Sequence, residues 1–384
     1  MKKKFAFMIS VLLVCTCVLG LTACSSGGNG EHKHEYENEW SFDKNEHWQI
    51  CKACGGKGNV EGHSFTDGAC KCGYVKGSEK LTYKPSLDDN YYIVTGMGTC
   101  NEKNISIFST YNGKPVREIE ERAFDGNSFI ESVFIPNGVR KIGEKAFNDC
   151  ASLSSVTIPD SVTDIEKYAF SYCALTNIVI PNNLASIKES VFFNCKSLTS
   201  VTIPSSVTSI GDYAFRGCSK LTNVTIPSSV TSIGSSAFND CSSLKGVYIT
   251  DIAKWCAIRF GDIDANPLYY AHSLYLNNEL VTELVIPEGV TSIGDYAFTG
   301  CTSLMRVTIP SSVISIGSSA FSGCTELSEI FYKGTSDNWY KIEIDNYLSG
   351  NDTLSNAIRY YYSETEPTDS GNYWHYVDGV VTKW

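Results

Sequence analysis

Residues 201–218 read VTIPSSVTSIGDYAFRGC, and nearly the same string returns at 224–241 (VTIPSSVTSIGSSAFNDC) and at 307–324 (VTIPSSVISIGSSAFSGC). Pro204 and Pro227 are 23 residues apart, as are Pro136 and Pro159. That period is too short for a domain and long enough for one coil of a solenoid. Within a coil, Val201 and Ile203 flank Thr202 in the alternation of a half-buried strand, and Pro204 ends it by removing a ladder donor. Val207 and Ile210 predict a second short extended piece, Gly211 turns the chain out of it, and Ala214-Phe215 predict a small helical turn. A single coil cannot bury these side chains. Stacked coils can, each strand pairing with its copy at roughly 4.8 Å so that apolar positions form ladders.

The pattern Leu-x-x-Val-x-Ile-Pro-x-x-Val-x-x-Ile-x-x-x-Ala-Phe-x-x-Cys resembles the BspA-like leucine-rich repeats of bacterial surface proteins, over about residues 104–362. Ala-Phe recurs at 123–124, 146–147, 169–170, 214–215, 237–238, 297–298 and 320–321, with Val191-Phe192 as the one variant. Asn127 stands where later copies carry Cys150, Cys173, Cys195, Cys218, Cys241, Cys301 and Cys324. The resemblance implies a repeat solenoid of leucine-rich-repeat type, with short parallel β-strands and small helical turns. It also implies attachment to host matrix, mucosal or other cell-surface proteins.

The solenoid is expected over residues 104–333, with an expanded coil at 247–286 and a second at 334–362. The two expansions align Trp255 with Trp339, Ile258 with Ile342, Leu268 with Leu354 and Ala271 with Ala357. Asp251 and Ser336 are the expected caps of short helices carrying those tryptophans. Residues 76–103 are expected to cover the first coil. Residues 363–384 form a polar spacer and an aromatic hairpin, whose Asp378-Gly379 is a type I′ turn signal.

Ahead of the repeats, residues 1–23 have a basic head and an apolar run too short to span a membrane comfortably. Leu21-Thr22-Ala23-Cys24 looks like a bacterial lipobox, which predicts lipidation of Cys24 and an extracytoplasmic, lipid-anchored chain; ordinary cleavage would leave Cys24 a free thiol. Residues 24–31 are a flexible tether. Residues 32–75 crowd four histidines and four cysteines together, and Cys51-x-x-Cys54-Gly55 has the spacing of a zinc knuckle. The segment resembles small His/Cys modules that precede repeats in bacterial surface proteins, and on that likeness His34, Cys51, Cys54 and His63 would hold a structural zinc. Cys51, Cys54, Cys70 and Cys72 are the rival set, His47 is a further candidate, and disulfides would serve as the staple if no metal binds.

Equivalent repeat cysteines would sit about 5 Å apart with parallel side chains, too far for the ~3.8 Å Cβ separation of a disulfide, which predicts buried thiols. Cys100 and Cys256 fall off this ladder, and His272 and His375 stand alone among aromatics. No nucleophile triad, phosphate loop or spaced carboxylate pair emerges, so the expectation is a protein that is not an enzyme. The formal charge of -11 argues against nucleic acid and leaves the lipid anchor as the expected membrane contact. Outward strand positions Thr157, Thr202, Thr225, Tyr248 and Thr308 are the candidate ligand-binding face, although threonine also simply suits an exposed strand. The alternative is a glycan-binding or accessory scaffold for exported hydrolases, using Tyr269, Tyr270, Trp339, Tyr340, Trp374 and Trp384.

Overall fold

The computed structural model describes residues 36–42, 46–51, 57–62, 65–66, 69–70, 77–345 and 350–384, in two units, Met1–Lys76 and Gly77–Trp384. In the first unit, strands Tyr36–Phe42, Glu46–Cys51 and Lys57–Gly62 form an antiparallel sheet, and Phe65–Thr66 pairs with Ala69–Cys70. Cys51 is opposite Tyr36 and His47 is opposite Phe42, which places these two candidate ligands at opposite ends of the middle strand. Cys24, His34, Cys54, His63 and Cys72 lie outside the described residues.

The second unit is the expected solenoid. In the coil around Val201, strand Ser200–Thr202 pairs in parallel with Asn177–Val179 and Asn223–Thr225, Val201 aligning with Ile178 and Val224. After Pro204 the chain turns into Ser209–Ile210, which pairs with Ser186–Ile187 and Ser232–Ile233. Val201, Ile203, Val207, Ile210, Phe215, Cys218 and Leu221 are buried, while Thr202 and Thr208 face out. The phenylalanines stack as a column from Phe124–Phe147, 5.0 Å between centroids, to Phe215–Phe238, 5.3 Å.

The Ala-Phe arc departs from expectation, because it is not a helical turn. The residue before each Ala or Val (Arg122, Lys145, Tyr168, Ser190, Tyr213, Ser236, Tyr296, Ser319) has φ between 53° and 61°. The residue two after each Phe is also left-handed, and there Gly126, Asp149, Asn194, Gly217, Asp240, Gly300 and Gly323 are types that tolerate it, with Tyr172 the exception. These reversals make successive peptide groups point in opposite directions. The amides of Tyr213, Phe215 and Gly217 donate to Ser235, Ala237 and Asn239 of the next coil at 3.0, 2.9 and 2.8 Å. The intervening amides of Ala214 and Arg216 close back on Gly211 and Tyr213 at 3.3 and 3.1 Å. The arc is therefore a third ladder between coils, whereas a helix would have spent those donors internally.

Both ends are covered. The hairpin of Thr82–Pro85 and Tyr92–Gly96 adds its second strand in parallel to Lys114–Ile119. At the other end, Ile358–Tyr362 and Tyr373–Val377 extend the first sheet, and Val380–Lys383 closes it antiparallel. Asp378 and Gly379 have φ of 50° and 79°, as a type I′ turn needs.

The expanded coil interrupts this order. Leu274–Leu276 joins the first sheet beside Gly246–Ile249, then doubles back as Glu279–Leu280 and supplies no strand to the second sheet. Asp251 caps its helix Ile252–Cys256 as expected, its carboxylate accepting from the Lys254 amide at 3.0 Å. In the second expansion the helix Ser336–Trp339 is capped by Thr335, one residue before the expected Ser336, with Oγ1 3.3 Å from the Asn338 amide.

The left-handed arc predicts an unusual substitution pattern at Tyr213. Tyr213→Gly should hold or raise the urea midpoint, because glycine escapes the ~1–2 kcal/mol that an L-residue pays in left-handed backbone, while Tyr213→Val should lower it, a β-branched side chain being worse placed there than tyrosine. If the arc were helical the glycine variant would be the damaging one, by about 1 kcal/mol.

Candidate binding surfaces

Four successive strands of the first face, Ser155–Thr157, Asn177–Val179, Ser200–Thr202 and Asn223–Thr225, expose their first and third residues to solvent. The third positions are Thr157, Val179, Thr202 and Thr225. Val179, 69% exposed, was not on the candidate list, yet the alternation Ile178-Val179-Ile180 already pointed it outward. Tyr248 is half-buried and stacks on Tyr275 at 4.6 Å. Gly246 makes room for this pair, because a Cβ there would come within 3.0 Å of both rings.

Thr308 does not belong to an exposed face; it is buried, at 6%. Its neighbour in register, Phe331, is itself buried, stacking on Tyr360 at 5.1 Å and meeting Trp374 edge-on at 5.7 Å. That aromatic cluster covers the outward side of the sheet near its C-terminal end. Trp374 and Trp339 are therefore core residues, Trp374 Nε1 donating to the Tyr332 carbonyl at 2.9 Å. Tyr340, Tyr269 and Trp384 are exposed but scattered, and Tyr270 is held by Asp264 at 2.6 Å. His272 Nδ1 sits 3.0 Å from the Gly300 carbonyl and His375 stacks on Trp384, so both imidazoles are structural.

The second sheet carries the clefts, which the residue pattern alone did not disclose. One of 370 Å³ is lined by Glu118, Glu120, Lys141, Glu144 and Glu166. Another, of 480 Å³, lies over Ser209, Asp212, Ser232 and Arg259. The largest, 960 Å³, opens at the interruption between Arg259–Phe260 and Ser292–Ile293.

The repeat cysteines are free and buried, as expected. Each thiol from Cys150 to Cys241, and Cys324, donates to the carbonyl of the preceding coil's phenylalanine: Cys150 to Phe124 at 3.1 Å, Cys218 to Phe192 at 3.3 Å, Cys324 to Phe298 at 3.2 Å. Cys301 follows the expanded coil, which has no such phenylalanine, and lies 3.7 Å from Ser303 Oγ instead. Cys256 belongs to the core and Cys100 is half-buried. Burial pushes the thiols of Cys195, Cys241 and Cys256 up to about 12. Among the described residues no group of three or more His, Cys, Asp or Glu is arranged to hold a metal ion, and no helix is long and apolar enough to cross a membrane.

Parallel ladders wound from one recurring coil define a leucine-rich-repeat solenoid. The family model for the BspA type leucine rich repeat region matches six copies, over residues 101–251 and 271–354, and the chain belongs to that family. Solved structures similar to it include the leucine rich repeat protein of T. pallidum, 25% identical, covering 66% of this chain and 90% of its own, with a TM-score of 0.36. A leucine rich cell surface protein of Faecalibacterium prausnitzii A2-165 is 26% identical over 71% of this chain and 97% of its own, at 0.31. The pneumococcal vaccine antigen PcpA is 21% identical over 67% and 70%, at 0.44. None of the curated proteins matches the chain.

The raised thiols give stability a pH sense. Unfolded cysteine ionises near 8.5, whereas Cys195 and Cys241 hold their protons to about 12, so the folded pKa is the higher one. Their contribution is fully present below the unfolded value and is lost as pH rises through the folded one. The urea midpoint should therefore fall from about pH 9 to 12, and the native thiols should resist a thiol reagent at pH 8 that labels them in denaturant. Prompt native labelling of Cys195 or Cys241 would contradict this burial.

Proposed function

We propose that this chain is a non-enzymatic, lipid-anchored surface protein that binds a host matrix, mucosal or other cell-surface protein along the exposed first-sheet face. The observation that carries the reading is the outward row Thr157, Val179, Thr202, Thr225 and the Tyr248–Tyr275 pair, whose strands pair continuously from Val179 onward. Strands about 4.8 Å apart make this a surface roughly 25 Å long, suited to a macromolecule rather than a small ligand. Support for the address comes from the lipobox at Leu21-Thr22-Ala23-Cys24, and the tether after it gives reach. The stacked tyrosines also suit a sugar ring, which makes a glycan the second reading. A structural zinc in residues 32–75 is part of the proposal, and metal analysis of the reduced chain should find about one or two zinc atoms.

Ligands are identified by screening the intact chain against matrix proteins and a glycan array. Thr202→Arg with Thr225→Arg should then abolish binding with little change in melting temperature, since both side chains are exposed. Retained binding by that double variant would remove the first-sheet face from consideration. Cys24→Ser should release the chain from membranes into the medium, and continued membrane partitioning would remove the lipid anchor.

A further inference from the structure

The caps at the two ends of the stack finish in edges of different character. At the first, the outer strand Thr82–Pro85 pairs with Tyr92–Gly96 alone among the described residues. The Ser86 amide donates to the Tyr91 carbonyl at 2.8 Å, so by the antiparallel alternation Pro85 turns its backbone outward, where it has no N–H to offer a further strand. At the other end the outer strand is Val380–Lys383, paired among the described residues with Tyr373–Val377 alone. No proline interrupts it. Its one cation, Lys383, is folded back on the sheet, bridged to Glu329 and held over the Tyr360 ring at 4.7 Å. The charge that would guard an edge strand is thus engaged within the chain.

The alternation of hydrogen bonds in this hairpin fixes which groups of its outer edge are free. Val377 and Val380, on either side of the Asp378-Gly379 turn, exchange bonds, as do His375 and Thr382. The Trp384 amide donates to the Tyr373 carbonyl at 3.1 Å, in keeping with that alternation. Val381 and Lys383 therefore point their amides and carbonyls away from the hairpin. Tyr332, Tyr361 and Tyr373 lie in register on the side of the sheet that faces the core, and Val377, Val380 and Trp384 share that side. Past the last coil these three apolar side chains are left exposed, Val380 at 65%.

We propose that this edge joins two copies of the chain, Val380–Lys383 of one pairing antiparallel with Val380–Lys383 of the other about a two-fold axis at Thr382. The strand complements itself in that register. With Thr382 opposite Thr382, Val381 of each copy meets Lys383 of the other, and every outward amide and carbonyl of these residues is bonded. The same register sets the exposed Val380 beside Trp384 of the second copy at both ends of the pairing, so the uncovered apolar side chains shield one another. Centring the pair on Val381 instead would set Lys383 against the Gly379 turn and leave Trp384 uncovered. The inference uses none of the threonine row proposed above as a binding face, and either can fail without the other.

The test uses the full chain carrying Cys24→Ser, so that an anchor cannot drive association. Sedimentation velocity should show a reversible doubling of mass as concentration rises. Val381→Pro removes a donor that only the second copy uses, and Val380→Glu places a charge against Trp384. Each should weaken self-association at least about tenfold with an unchanged melting temperature. Thr382 opposite Thr382 is a pair without mutual hydrogen bonds, its Cα atoms ~4.5 Å apart and within reach of a disulfide. Thr382→Cys should therefore cross-link two chains under mild oxidation at least about tenfold faster than Val380→Cys, although position 380 is the more exposed. Thr202→Arg with Thr225→Arg should leave self-association intact. A monomer at every concentration, a dimer indifferent to both Val381→Pro and Val380→Glu, a dimer lost with the threonine-row variant, or cross-linking no faster at 382 than at 380 would overturn the proposal.

Discussion

Every coil must satisfy its neighbours in register, and the rest of the structure follows from that one constraint. A side chain at a given repeat position meets its own copies above and below, so the positions sort into columns: Phe on Phe, Cys near Cys, Val on Val. The backbone is bound by the same rule, because a buried amide has no water and must find a carbonyl in the adjacent coil. The left-handed residue before each Ala-Phe is the consequence. It costs about 1–2 kcal/mol, and in return alternate amides turn outward along the stack while a phenylalanine worth roughly 2–3 kcal/mol is buried. The thiols obey the constraint in side-chain form, each reaching the phenylalanine carbonyl of the coil before it.

Where a coil lacks the standard residues, side chains take over the missing backbone bonds. Trp255 and Asn266 both donate to the carbonyl of Ala297, which a regular preceding coil would meet with its own phenylalanine amide, and Asn266 also donates to that of Tyr296. At the second expansion Asn351 does this from both ends of its amide, its oxygen accepting from the Phe321 amide at 3.1 Å and its nitrogen donating to the Gly317 carbonyl at 3.0 Å. Asn266 and Asn351 are both fully buried, which is tolerable because each has its hydrogen bonds.

Much of this was legible in the residues. The period, the two strands per coil, the buried thiols and the terminal hairpin all follow from local patterns that repeat, and repetition multiplies a weak signal. The arc was misread because Ala-Phe has helical propensity in isolation, and the left-handed residue before it is Arg, Lys, Tyr or Ser, none of which announces positive φ. Nothing within one coil reveals that its amides are needed by the next. Thr308 was misplaced for a similar reason. Its own strand reads like that of Thr202, and its burial is decided by Phe331, Tyr360 and Trp374, of which the last is 66 positions further on. The aligned tryptophans of the expansions were visible, but not the hairpin of Leu274–Leu276 and Glu279–Leu280 that follows the first of them and adds no strand to the second sheet.

The expanded coil shows how the stack keeps its register when one member is irregular. Gly211, Gly234 and Gly317 donate their amides to Ile187, Ile210 and Ile293 of the coil before, whereas Gly294 donates to Cys256, at the end of the helix Ile252–Cys256. Trp255 and Asn266 bind the same following coil through Ala297 and Tyr296, so the next regular coil is seated on the expansion by a backbone bond and two buried side chains in place of a paired strand. The core therefore runs through the expansion, from Leu81 to Ala357, while the surface changes across it: upstream the first-sheet strands show exposed threonines, and downstream Phe331, Tyr360 and Trp374 cover the same side. One continuous core thus carries two different faces, and only the upstream one is left open to a partner's side chains.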